Sequence, residues 1–137
     1  MITLEQYVGP HKGSYSWNPT KAVNAELLLE AVNSLEPLME ADGVIWKVNP
    51  STGSQVSGKT YGGFRPQECP QGAPFSNHKQ GKAVDIYDPD NEIDAWCKAH
   101  PRELERLGLY MEISDATPGW AHFQSVAPKS GNLFFYP

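Results

Sequence analysis

Apolar residues at Val23, Leu27, Leu28, Val32, Leu35, Leu38 and Met39 recur at helical spacing, which predicts one long amphipathic helix from Pro19 or Thr20 to about Asp42. Gly43 supplies a stop, and Pro37 marks a point where this helix can kink. Val44 to Val48 then reads as a strand bounded by Asn49-Pro50, and a Ser/Gly-rich stretch leads to a second short strand from Tyr61 to Arg65. Together they suggest a β-hairpin with a loose connection. Pro66 to Asn77 lacks periodic apolar positions and reads as an irregular, functional surface loop. Lys82 to Tyr87 alternates as a strand does. Glu92–Ala99 and Glu103–Leu107 read as two short helices separated by Pro101, and Leu109–Ile113, Trp120–Gln124 and Leu133–Tyr136 as three closing strands. Helices and strands cluster rather than alternate, so the expected fold is α+β. It is a single domain over residues 1–137, with a small antiparallel sheet, a long N-terminal helix and short helices.

Strand alternation sorts the polar residues onto one face. Val84 and Ile86 oppose Asp85, Ala121 and Phe123 oppose Trp120, His122 and Gln124, and Leu109, Met111 and Ile113 oppose Tyr110 and Glu112. With the apolar sets facing the core, Asp85, Glu112 and His122 share the opposite face, where a cleft can form. His78 precedes this sheet, and Gly81 is suited to the tight turn that feeds the Asp85 strand.

Composition narrows the function classes. The 137 residues suit one domain. A net charge of −5 with no basic stripe argues against nucleic acid as a partner. The first residues lack the basic and apolar regions of a secretory signal, and no apolar run reaches membrane-spanning length. The expectation is synthesis in the cytoplasm without a signal peptide, no membrane association and a monomeric state. Cys69 and Cys97 do not form a Cys-x-x-Cys pair. Two reduced thiols are expected, with a disulfide as the alternative.

Two imidazoles and a carboxylate, His78, His122 and Asp85, suit Zn²⁺ and leave its fourth tetrahedral position for water. Taken separately each has a plainer reading: a loop histidine, a strand carboxylate, a half-buried histidine beside Trp120. Glu112 alone is a solvated strand carboxylate and Asp115 a turn residue. His11 and His100 have no partner at ligand spacing and read as a flexible terminal histidine and a helix C-terminal histidine.

The order of the motifs adds to this. Ser76-Asn77-His78-Lys79-Gln80-Gly81-Lys82-Ala83-Val84-Asp85, followed by Trp120-Ala121-His122, resembles the zinc D-alanyl-D-alanine peptidase family, whose fold is shared with the signalling domain of hedgehog proteins. In that family a Ser-x-His-x-x-Gly-x-Ala-x-Asp block and a later histidine hold the zinc. Gly63-Phe64-Arg65 is similar to its arginine-bearing strand. The chain as a whole resembles short bacteriophage and prophage members. Many members place a catalytic glutamate three residues before the last histidine, where this chain has Gly119. Hedgehog-like members place it upstream at the end of a strand, and Tyr110-Met111-Glu112 resembles that arrangement.

The resemblance implies zinc-assisted hydrolysis of peptide bonds in bacterial peptidoglycan stem peptides. His78, Asp85 and His122 would be the ligands and Glu112 the general base, with Asp115 in reserve. Arg65, Ser76 and Trp120 would meet substrate. A D-alanyl-D-alanine carboxypeptidase and an L-alanyl-D-glutamate-type endopeptidase are equally compatible. A phage origin would have the protein reach the wall after lysis or by injection. The alternative is a zinc-containing cell-wall-binding or virion module without catalysis.

Overall fold

A computed structural model describes residues 1–137. The chain begins with a short helix, α1 (Leu4–Val8), that the apolar pattern does not announce. Its signal is polar: Thr3 and Gln6 form a capping box, each side chain accepting the other residue's backbone N–H. A 3₁₀ turn (Gly9–His11) follows.

The long helix expected up to Asp42 is two helices, α2 (Pro19–Asn33) and α3 (Leu35–Ala41). A continuous helix would set the Pro37 ring against the carbonyl of Asn33 and leave that carbonyl without its donor. Breaking at Ser34 puts Pro37 in the first turn of α3, where no backbone donor is needed. The Ser34 hydroxyl donates to the Ala31 carbonyl at the break. Ala25, Leu28, Leu29, Val32, Leu35 and Met39 are buried along one stripe that continues across it, whereas Val23, Leu27 and Leu38 are exposed. The stripe therefore has a different phase from the one the apolar residues suggested. Each fully buried leucine in it contributes about 1.5–3 kcal/mol.

The expected hairpin of residues 44–65 does not form. Residues 44–48 and 61–65 are irregular, and only isolated bridges, Asn49 with Ser54 and Val56 with Ile86, mark the segment. Its backbone instead lines the outer edge of β1 (Ala83–Tyr87): Ser57 donates to the Asp85 carbonyl at 2.8 Å, Asp85 to Gly62 at 2.7 Å and Tyr87 to Gln55 at 2.8 Å. Covering a sheet edge in this way satisfies backbone groups that a self-contained hairpin would have left free. The Asn49 side chain completes the segment by donating to the carbonyls of Val56 and Gly58.

After β1 come α4 (Glu92–Ala99) and α5 (Pro101–Leu107), then β2 (Tyr110–Glu112), β3 (Trp120–Gln124) and β4 (Phe134–Phe135). The sheet order is β1-β3-β2-β4. β3 is antiparallel to both β1 and β2, but β4 runs parallel to β2, so the sheet is mixed rather than wholly antiparallel. The long return from β3 around residues 125–133 lets the last strand enter in the same direction as β2. One face of the sheet, with Val84, Ile86, Met111, Ala121 and Phe123, closes the core against α2 and α3. The domain is α+β, as expected, and no helix is long and apolar enough to cross a membrane.

Candidate metal centre

Register brings the first two site residues together. Asp85 on β1 is the direct cross-strand partner of His122 on β3, and both project from the face opposite the core. Tyr110 pairs with Gln124 and Met111 with Phe123, so Glu112 stands one step further along β2, beside His122. Its Oε1 lies 3.7 Å from His122 Nε2. Asp85, His122 and Glu112 thus form a row across three strands.

His78 reaches this row from the 3₁₀ turn Asn77–Gln80. Gly81 ends the turn at φ 74°, and a β-carbon there would meet the Lys21 carbonyl at 2.6 Å, which explains glycine at the entry to β1. His78, Asp85 and His122 are all buried, and their ligand atoms lie within 4.8 Å of one another.

The protons of the two rings can be placed from their partners. His78 Nδ1 is 2.9 Å from the Gly63 carbonyl oxygen, an acceptor only, so Nδ1 carries the proton and donates. Gln124 donates its amide N–H to the Val126 carbonyl at 2.7 Å, which turns its Oε1 toward His122 Nε2 at 2.8 Å. His122 Nε2 therefore donates to Gln124. The nitrogens left over, His78 Nε2 and His122 Nδ1, face Asp85 Oδ1 at 3.4 and 2.8 Å. In the neutral tautomers three acceptors converge on one point. Such a cluster requires a proton or a cation at its centre.

The acid–base tendencies agree. Burial alone would raise the Asp85 carboxyl, but the neighbouring charge of His78 and the hydrogen bond from His122 outweigh it and hold the group well below the ordinary carboxylate range. Burial disfavours a charged His122, yet the hydrogen bond to Asp85 and the charges of Asp85 and Glu112 raise its pKa. A divalent ion would satisfy the same demand. Tetrahedral zinc ligands stand roughly 3–4 Å apart, the scale of the spacings here. The hydrogen bonds to Gly63 and Gln124 are the outer partners that metal-binding histidines characteristically have. The residues therefore fit a metal ion.

A cleft of about 720 Å³ opens over the cluster, lined by Arg65, Ser76, His78, Asp85, Glu112, Trp120 and His122 among others. The three expected ligands, the expected base Glu112 and the three expected substrate contacts all lie on it. Glu112 is half-buried, and burial pushes its carboxyl up; His122 opposes that rise and Asp85 adds to it. Asp115, the reserve base, is exposed on a 3₁₀ turn and does not line the cleft. Arg65 donates through Nε to the Tyr61 carbonyl at 2.9 Å and approaches Asp85 Oδ2 with a terminal nitrogen at 3.5 Å. Its contact is with Oδ2, whereas the two rings contact Oδ1.

The other histidines stand apart. His11 is not a loose terminal residue: Nε2 is 2.7 Å from the Thr60 carbonyl and the ring stacks on Tyr61. His100 follows α4, stacks on Trp96 and faces the Asp42 carboxylate at 3.6 Å. Cys69 and Cys97 are both buried free thiols. Sequence reasoning missed Gly63 and Gln124. Gln124 had a signal, its place two residues from His122 on the same strand face; a backbone carbonyl such as that of Gly63 has none.

Comparison with family models, with curated proteins and with solved structures produced no match.

Proposed function

We propose that this protein is a zinc metallopeptidase acting on the stem peptides of bacterial peptidoglycan. The observation that carries the reading is the convergence of three acceptor atoms, each oriented from outside, in a cleft that also holds Glu112. His78 Nε2, Asp85 Oδ1 and His122 Nδ1 are the ligands. A bound ion would supply Lewis acidity and make a water more acidic.

The chain's own residues do the rest. Glu112 accepts a proton from the attacking water and returns it to the leaving amine. Its partial burial suits that duty, because burial raises the carboxyl's proton affinity and a stronger base accepts the proton more readily. Arg65, held by Tyr61, presents a permanent positive charge to a substrate oxygen. Ser76 and Trp120 line the walls against which the peptide lies. The preference for cell-wall peptides rests on the motif resemblance. That resemblance also suggests delivery to the wall by phage lysis or injection.

The test is to purify the protein, measure its metal content and incubate it with peptidoglycan, identifying new termini by mass spectrometry. About one zinc per chain and new amino groups are expected. Stoichiometric zinc surviving the paired replacement of His78 and His122 by Ala would show that the ligands lie elsewhere. Zinc with retention on the wall but no new termini would indicate a binding module.

A further inference from the structure

A second cleft of about 440 Å³ meets the first at the metal centre. It is lined by the backbone turn from Ser57 to Gly62, by Gln71, and by Arg65, Asp85 and Trp120, the three residues it shares with the larger cleft. The two arms leave the centre in different directions. The 57–62 turn covers the outer edge of β1, whereas the larger arm is lined by Lys129, Ser130 and the residues from Phe135 to Pro137, and Phe135 belongs to β4 at the opposite edge of the sheet. The metal cluster lies between, on β1 and β3.

Resting on the peptidase reading, we infer that the bound peptide occupies both arms, so that the bond attacked lies inside a chain rather than next to its free carboxyl end. A carboxypeptidase needs an arm that ends on a fixed cation for the terminal carboxylate. Neither arm ends that way. Arg65 stands at the junction, and its Nε is already engaged by Tyr61 while a terminal nitrogen faces Asp85. It flanks the passage instead of closing it. The remaining cations, Lys59 in one arm and Lys129 in the other, are both exposed. Each is placed to meet a carboxylate along a peptide, as an acidic stem peptide would offer on either side of the cut. Either arm has the volume of an ordinary ligand pocket, enough for more than one residue.

Two measurements test this. The first compares synthetic stem peptides that differ only in a free or an amidated C-terminus. Cleavage of the amide at a rate within a few-fold of the acid is expected; a site built to hold a terminal carboxylate would reject the amide by about 10⁴-fold or more, and a loss of that order would overturn the inference. The second records amide resonances of the Glu112→Gln protein on adding an uncleaved stem peptide. Shifts at both Lys59–Gly62 and Ser130–Gly131 support a peptide spanning the centre, even if no hydrolysis is found and the catalytic reading fails. Shifts confined to one arm overturn it, as does their absence from both. Lys59→Ala should raise KM for a long peptide several-fold and leave kcat in place.

Discussion

The two halves of the candidate metal centre are held by different means. Asp85, His122 and Glu112 are set by strand register, so each position is fixed by its neighbours across the sheet. His78 comes from a 3₁₀ turn and Arg65 from irregular backbone, both outside the sheet, and their positions depend on contacts far away in sequence. The Gly63 carbonyl orients His78, while Phe64 donates to Tyr7 in α1 and Arg65 donates to the His78 carbonyl. The lesson is that the sheet half should tolerate changes of chemistry without moving, whereas the loop half should fail through loss of position.

Replacing a sheet ligand gives the largest effect. Asp85→Asn keeps the shape but removes the charge that a divalent ion needs, so metal content and hydrolysis should both fall to background. The folded protein should survive, because an amide N–H facing His122 Nδ1 relieves the cluster of convergent acceptors. Thermal melting of the metal-free Asn variant should be no lower than that of the metal-free parent. A collapse in melting temperature would mean that the sheet half is not the rigid partner.

Glu112→Gln should lower kcat by about two to four orders of magnitude while zinc content stays at the parent level. Asp115→Asn, on an exposed turn outside the cleft, should leave both unchanged. The reverse pattern would transfer the base to Asp115 and break the sheet row as the catalytic unit.

Gln124→Leu deletes the acceptor for His122 Nε2 without touching a ligand, and a drop of about 10–100-fold in zinc affinity is expected from competition with a chelator. An unaltered affinity would show that register alone fixes the ring.

The smallest effect belongs to the loop half and is one of position. At Gly63 a β-carbon would stand 2.0 Å from the Tyr7 carbonyl oxygen, backbone against backbone, so Gly63→Ala must push the segment away from α1. We expect about 1–3 kcal/mol of destabilisation in urea unfolding, with weakened zinc binding as the His78 partner moves. Gly108→Ala, at a position with open space around it, should leave zinc binding alone and report only the strain of its φ of 68°. Equal effects on zinc at the two glycines would remove the distinction between the halves.

Much of the sheet half was legible beforehand. Period-two alternation sets Asp85, Glu112 and His122 each opposite the apolar residues of its own strand, and burying those apolar sets in one core brings the three onto one face. The glycine turn at Gly81 and the helices expected at Glu92–Ala99 and Glu103–Leu107 were likewise local matters, decided by backbone sterics and by proline, although the second helix takes in Pro101 as its first residue instead of starting after it. What escaped was whatever depended on partners distant in sequence. Residues 44–65 have the composition of a hairpin, but their donors and acceptors are better used along the exposed edge of β1, a competitor that local pattern cannot show. The helix phase shifted for a similar reason: several apolar stripes were available between residues 19 and 42, and packing against the sheet selected the one through Leu28, Val32, Leu35 and Met39. The direction of β4, the roles of Gly63 and Gln124, and the meeting of two clefts at Arg65 and Asp85 belong to the same class. Sequence by itself determined which residue types share a strand face, since that follows from covalent geometry repeated every two residues. Only the tertiary structure decided what lies opposite them, since hydrogen-bond partners and cavity walls are supplied by segments that the chain brings close only on folding.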